Sequence, residues 1–247
     1  MKVIGVIPAR WGSTRFPGKS LYDVAGKPLV QWVWERASQA MSLDRVVVAT
    51  DDERIRVVVE SFGGEAMMTR PDHPSGTDRV AEVAEALGGH VWINIQGDEP
   101  MIDPGLVDQV ADFLVADGRW DMATAATRFQ NMDDVRHVGA VKVVCGIDDH
   151  ALYFSRSVIP YDRDGQKLSA NQYWRHLGLY AYQRSFLEKL VATPPCALEQ
   201  AEKLEQLRAL HLGCRMKVVR TKDTSVGVDT PEDVPRAEEA LRRAGWV

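Results

Sequence analysis

The sequence predicts an α/β fold built on a mixed, mainly parallel sheet. Three observations predict it. Short β-branched runs alternate with amphipathic stretches along the first half of the chain. The runs are apolar on both faces, as strands covered by helices on each side must be. And 247 residues, 45% of them hydrophobic and 26% charged, can enclose a large core.

The elements follow in order. V-I-G-V-I at 3–7, R-V-V-V-A-T at 45–50 and V-W-I-N-I-Q at 91–96 are expected as buried parallel strands. Between them, 29–37, 53–62 and 77–87 carry helical periodicity, which implies right-handed βαβ units. A further helix is expected near 104–116. The rhythm then changes to strand-like pieces at 122–128, 140–145, 151–156 and 177–182, a region expected to be antiparallel and to carry a dimer contact. A helix at 197–212, a strand at 216–221 and a final helix after Thr230 close the chain. There, Thr-Pro-Glu-Asp supplies an N-cap, a proline at the first helical position and an acid at the third, and Pro235 is expected to disturb the opening turns. With no repeat and no linker composition, one domain over 1–247 is the economical reading.

Composition excludes several classes of function. A net charge of −5 argues against a nucleic-acid or anionic-membrane surface and for small-molecule partners. Three widely spaced cysteines, Cys145, Cys196 and Cys214, form neither a disulfide framework nor a zinc motif and fit a reducing compartment. The first apolar run is too short, and too soon followed by Arg10, for a secretory signal, and no stretch reaches membrane-spanning length, so a cytoplasmic protein is expected.

Residues 12–20, G-S-T-R-F-P-G-K-S, come close to a P-loop and miss it. Five residues separate Gly12 from Gly18 where the motif has four, and one of them, Pro17, has no N–H to offer a phosphate. Yet the first 22 residues hold Lys2, Arg10, Arg15 and Lys19 and no acid, in a protein acidic overall. Three of these cations follow the first strand, where the ligand crevice of an open α/β sheet opens. A solvated basic loop is the bland alternative. The position favours a polyphosphate, gripped by arginine forks and a lysine point charge.

Gln96-Gly97-Asp98-Glu99-Pro100 ends the third strand. A carboxylate facing a phosphate needs a divalent cation between them, so Asp98 is read as a Mg²⁺ ligand, with strand termination as the equal alternative. A second carboxylate is then required. Asp229 is a candidate, although on spacing alone helix-entry chemistry explains it as well. The segment R-P-D-H-P-S-G-T-D-R at 70–79 either caps a helix through Ser75, Thr77 or Asp78 or reads a base edge, and His73 is taken as a loop residue.

Taken in order, P-A-R-W-G-S-T-R-F-P-G-K, R-P-D-H-P-S-G-T-D-R, I-N-I-Q-G-D-E-P-M-I, A-L-Y-F-S-R-S-V-I-P-Y-D-R-D, R-H-L-G-L-Y-A-Y, E-K-L-E-Q-L-R-A-L and G-V-D-T-P-E-D resemble the 3-deoxy-D-manno-octulosonate (Kdo) cytidylyltransferases, or CMP-Kdo synthetases, over nearly the whole chain. The resemblance implies a Rossmann-like nucleotide-diphospho-sugar transferase fold. It also implies a Mg²⁺-dependent enzyme that makes CMP-Kdo from CTP and Kdo for lipopolysaccharide biosynthesis, and a homodimer, with roughly 120–185 serving sugar binding and dimerisation. By that resemblance Arg10, Arg15 and Lys19 hold the triphosphate, and with Asp98 they carry the catalysis. Pro8, Ala9, Arg70, Ser75, Gly76, Thr77 and Asp78 surround the nucleoside, and Asp98 and Asp229 take the metal. Gln96 stands between nucleotide and sugar, while Arg156, His176, Tyr180, Glu205 and Gln206 face the sugar acid. Helical periodicity alone puts Glu205 and Gln206 on a solvated face. Tyr161 stands where many members have Trp. The alternatives are the same chemistry on 8-amino-Kdo or a sialic acid, a nucleotide-binding module without turnover, and a glycosyltransferase, which would use D-x-D where this chain has Gly-Asp-Glu-Pro.

Overall fold

A computed structural model describes residues 1–12, 15–165, 168–222 and 226–247. The loop residues Ser13 and Thr14 lie outside the described residues. Strand β1 (Val3–Ala9) leads through a 3-10 turn (Lys19–Leu21) to a small hairpin, β2 (Asp23–Val24) and β3 (Lys27–Pro28). Helix α1 (Leu29–Ala37), strand β4 (Arg45–Thr50), helix α2 (Glu53–Ser61) and strand β5 (Glu65–Met68) follow. Helix α3 (Gly76–Leu87), strand β6 (Val91–Asn94) and helix α4 (Pro104–Ala116) complete the first half. The second half runs β7 (Met122–Arg128), α5 (Met132–Arg136), β8 (Lys142–Cys145), β9 (Ala151–Ser155) and β10 (Trp174–Gln183). It ends with α6 (Arg184–Val191), α7 (Ala197–Glu202), α8 (Gln206–His211), β11 (Met216–Thr221) and α9 (Val234–Arg243).

The central sheet has the order β11-β7-β10-β6-β1-β4-β5. β1 is parallel to β4 and β6, β4 to β5, and β11 to β7. β10 runs antiparallel to both β6 and β7 and joins the two parallel blocks, and the β8–β9 hairpin extends from its first residues. The expected α/β class, mainly parallel with an antiparallel middle region, is the one observed.

Period-two alternation explains why the strands read as unbroken apolar runs. Val3 and Ile7 of β1 face a core formed with Val30 and Val33 of α1 and Leu106, Val110 and Leu114 of α4. Ile4 and Val6 face the other core, formed with Val80 and Val83 of α3, Phe186 and Leu187 of α6 and Leu207 of α8. A separate cluster joins Phe16, Val24 and Trp32 to Val228, Val234 and Leu241, so the C-terminal segment packs beside the loop that follows β1. No helix among the described residues is long and apolar enough to cross a membrane.

Several boundaries depart from the sequence reading. β5 has no β-branched residue, and α6 begins directly at the end of β10 without a turn signal, so neither element was expected. The helix expected at 197–212 is two helices. Lys203 takes a left-handed conformation, φ 53°, and the carbonyls of Glu202 and Lys203 accept hydrogen bonds from Arg156. The break rotates α8 relative to α7, and Gln206, assigned to a solvated face by periodicity, is buried. After Thr230 the chain makes a 3-10 turn (Pro231–Asp233) before α9, and Pro235 falls in the first helical turn, where its missing N–H costs nothing.

Candidate active site

The parallel strands β1, β5 and β6 end on one side of the sheet, and the segments after β5 and β6 meet β1 at Pro8. Gly97 makes the tighter approach. A Cβ on Gly97 would stand 2.8 Å from the Pro8 carbonyl oxygen, and one on Gly76 would stand 3.4 Å from the Pro8 ring. The crevice between these loops has a volume of about 250 Å³. Pro8, Ala9, Arg10, Arg15 and Lys19 line one wall, Ser75, Gly76 and Arg79 a second, and Gln96, Gly97, Asp98 and Asp229 a third.

Among the described residues of the loop after β1, the amides of Gly18 and Lys19 face the loop itself, where a P-loop would turn them to a phosphate. Gly18 N donates to the Trp11 carbonyl at 3.0 Å and Lys19 N to that of Phe16 at 3.1 Å, so these amides close the loop on itself. Gly18 has φ 71°, and a Cβ there would meet the Trp11 ring at 3.0 Å. The Arg54 guanidinium, itself held by Asp52, lies 3.4 Å from the centre of the Trp11 ring. A stacked arginine, indole and glycine thus set the loop, and its side chains are left to act.

Those side chains meet the two carboxylates. Lys19 Nζ lies 2.9 Å from Asp98 Oδ2 and 3.6 Å from Asp229 Oδ1, and Arg15 reaches the same Asp229 oxygen at 3.0 Å. Asp229 arrives through a backbone clip, Val228 N donating to the Asp98 carbonyl at 2.8 Å. Helix-entry chemistry does not occupy it. Asp233 accepts from the backbone N–H groups of Asp229 and Thr230, both at 3.0 Å, leaving the Asp229 carboxylate for the crevice. Two carboxylates already sharing one ammonium, with only oxygen donors, suit a hard divalent cation such as Mg²⁺, which completes its shell with waters and phosphate oxygens.

The start of α3 shows the expected helix cap, set at the edge of the crevice. Ser75 Oγ accepts from Asp78 N at 3.2 Å and donates to the Asp78 carboxylate at 2.6 Å, a helix cap that also forms crevice wall. Thr77 is buried, and Arg70 and Asp78 line an adjoining groove instead, with His73 and Glu82. Sequence reasoning missed Arg79, a buried crevice residue that donates to Thr69 and, at 2.9 Å, to Asp51. Its one signal is an arginine set within an apolar helical stripe. His73 is a loop residue, as expected, and also lines the crevice, its Nε2 contacting the Glu82 carboxylate.

The remaining residues spread along β10 and α8. Gln96 Nε2 donates to the Gly178 carbonyl at 2.8 Å, at the irregularity of β10 between Leu177 and Tyr180. His176 Nε2 pairs with Thr124 Oγ1 at 3.0 Å, and its ring packs against Phe154 and Tyr180. Burial pushes the His176 imidazole down from 6.5 to about 3. Burial also raises the Glu205 carboxyl, against hydrogen bonds from Thr77 and Ser75 that favour its charge. Glu205 lines a second cavity of about 560 Å³ that shares Pro74 and Ser75 with the crevice. Gln206 is buried behind it, and Arg156 sits apart, its guanidinium donating to the carbonyls of Glu202, Val138 and Lys203.

Comparison with known proteins agrees with this geometry. A family model described as cytidylyltransferase matches residues 4–218, which defines the class of the chain. The 3-deoxy-manno-octulosonate cytidylyltransferase of Geobacter sulfurreducens is 46% identical over 250 residues, covering 98% of this chain and 100% of the relative. That of Aliivibrio fischeri is 48% identical over 246 residues, covering 96% and 98%. The structure of a CMP:2-keto-3-deoxy-manno-octonic acid synthetase complexed with CTP superposes with a TM-score of 0.93 at 41% identity, over 99% of this chain and 100% of that one. A 4-diphosphocytidyl-2C-methyl-D-erythritol synthase from Anaerococcus prevotii shares the fold at 15% identity, TM-score 0.66, over 98% and 96% of the two chains. This chain belongs to the 3-deoxy-manno-octulosonate cytidylyltransferase family.

Replacing Gly97 tests the close approach at Pro8, because Gly97→Ala forces the turn after β6 away and moves Asp98 with it. Turnover is expected to fall by about a hundredfold, the cost of a displacement on the order of 1 Å, with a lowered melting temperature because the clash is with backbone, and wild-type turnover in the folded variant would show that the approach is immaterial. His176 stays neutral in the native protein down to about pH 3, whereas the unfolded chain takes up its proton below about 6.5. Native stability should therefore drop as the pH falls from 6.5 towards 3. Urea midpoints between pH 7 and 5 should fall less steeply in His176→Gln than in the wild type, and equal slopes would contradict the burial argument.

Proposed function

We propose that this chain activates Kdo: the anomeric hydroxyl of the sugar acid attacks the α-phosphorus of CTP in line, CMP-Kdo forms and pyrophosphate leaves. The observation that carries the reading is a loop of three cations facing a pair of carboxylates across one crevice, in a member of this family. Negative charge gathers on the bridging oxygen and the departing pyrophosphate. Arg10, Arg15 and Lys19 are placed to meet it, since all three line the crevice and the amides of Gly18 and Lys19 are taken up within the loop.

In this reading Pro8, Ala9, Ser75 and Gly76 abut the nucleoside, and Thr77 supports them from within α3. Asp98 and Asp229 would hold Mg²⁺, which supplies charge neutralisation at the phosphates and lowers the pKa of the attacking hydroxyl. Gln96, held by the Gly178 carbonyl, stands at the boundary with the sugar acid. Glu205, His176, Tyr180 and Gln206 form the sugar side, and Arg156 fixes the break between α7 and α8 that aims Glu205 there. The whole chain, 1–247, acts as one domain. The region around 120–185 supplies a homodimer contact, a reading supported by the exposed apolar side chains of Val138, Ile147, Leu152 and Tyr161.

With CTP and Mg²⁺, pyrophosphate release is expected with Kdo and not with 8-amino-Kdo or a sialic acid. Release only with another acid would redirect the substrate, and CTP binding without release would leave a nucleotide-binding module. In the same assay Asp98→Asn should lower turnover by about two orders of magnitude or more while calorimetry still detects CTP, whereas near-normal turnover would remove Asp98 from the chemistry. Sedimentation equilibrium is expected to give a dimer, weakened by Leu152→Glu, and a monomeric wild type would overturn that part.

A further inference from the structure

One ammonium spans the two carboxylates: Lys19 Nζ is 2.9 Å from Asp98 Oδ2 and 3.6 Å from Asp229 Oδ1. We infer that Lys19 is a counter-ion gate, whose ammonium competes with the divalent cation for the Asp98 and Asp229 oxygens, so that metal settles there only when a triphosphate draws Lys19 away. This rests on the assignment of those carboxylates to Mg²⁺ above, and goes beyond it by fixing an order: the metal enters with or after the nucleotide.

The competition is geometric. A Mg²⁺ ion sits about 2.0–2.1 Å from a carboxylate oxygen, and the Asp98 oxygen it needs already accepts from Nζ at 2.9 Å. A divalent ion and an ammonium on the same oxygens stand within about 4 Å of each other, where like charges repel strongly even at intermediate dielectric. One of them has to leave, and lysine is built to do so. Its charge rides on a flexible four-carbon stem with three rotatable donors, so it can exchange carboxylate oxygens for phosphate oxygens without moving the backbone. The exchange replaces one set of charged oxygens by another, and the side chains keep some contact with solvent, 15% exposed for Lys19, 29% for Asp98 and 51% for Asp229. Arg15, 3.0 Å from Asp229 Oδ1, faces the same oxygen and adds to the exclusion. Held together by Lys19, the carboxylates stay converged in spite of their mutual repulsion, which keeps the metal position formed and guarded.

The test reads Mn²⁺ binding to the full chain by the electron paramagnetic resonance of the unbound ion, with neither nucleotide nor sugar acid present. Wild type is expected to bind Mn²⁺ weakly, Lys19→Gln about tenfold or more tightly, and Lys19→Arg as weakly as wild type, because it keeps the charge. Lys19→Met serves as a second neutral variant should Lys19→Gln fold poorly by circular dichroism. Adding Asp98→Asn to Lys19→Gln should abolish the gain. Equal affinity in wild type and both neutral variants, with Asp98→Asn still weakening each, overturns the gate and leaves the metal assignment standing. Mn²⁺ affinity independent of Asp98 in every background overturns the metal assignment itself, and the gate with it.

Discussion

The close approach of the turn after β6 to the end of β1 is the constraint on which the rest of the crevice depends. Gly97 brings its backbone against the Pro8 carbonyl, where a Cβ would stand at 2.8 Å, and so places Asp98 over the carboxyl end of the central parallel strand. The Asp98 carbonyl then receives Val228 N, which draws the C-terminal segment across the crevice and delivers Asp229. Phe16, Val228 and Leu241 share a core cluster, so the cationic loop and the second carboxylate are anchored to the same patch of packing. Two segments more than 200 residues apart in sequence meet at an ion pair because one glycine leaves room.

Much of the fold was legible because burial on both faces leaves a plain trace. V-I-G-V-I, R-V-V-V-A-T and V-W-I-N are strands where their apolar runs place them. The cationic loop was legible through its charge against an acidic background. Asp229 was not, because T-P-E-D after it satisfies every rule of helix entry, and spacing cannot say which acid does the capping. In the structure Asp233 does it, at 3.0 Å from two backbone N–H groups, and Asp229 is left over. Glu205 and Gln206 were hidden for another reason. Periodicity assumes a continuous helix, and the left-handed Lys203, braced by Arg156 just past the end of β9, resets the phase. Arg79 was masked by its own neighbours, an arginine whose partners Asp51 and Thr69 come from other loops.

The loop also differs from a nest of amides in what it presents to the crevice. A P-loop commits backbone N–H groups, fixed in direction, to phosphate oxygens. Here Gly18 and Lys19 spend theirs on carbonyls within the loop, and the indole of Trp11, pinned between Arg54 and Gly18, holds that closed shape. The crevice is faced by mobile charge. Side chains exchange partners where a nest cannot, and Arg15 and Lys19 already have carboxylate partners to exchange.

The two cavities meet at the start of α3. Ser75 lines both, and Glu205 lines the second. The first turn of one helix is therefore the wall that a nucleotide and a sugar acid would share. The Ser75 hydroxyl accepts from Asp78 N and donates to the Asp78 carboxylate, so the residue that caps the helix is also part of both linings. A residue read in the sequence as either cap or contact is a cap that also lines the crevice, because a helix N-terminus presents its cap at the surface.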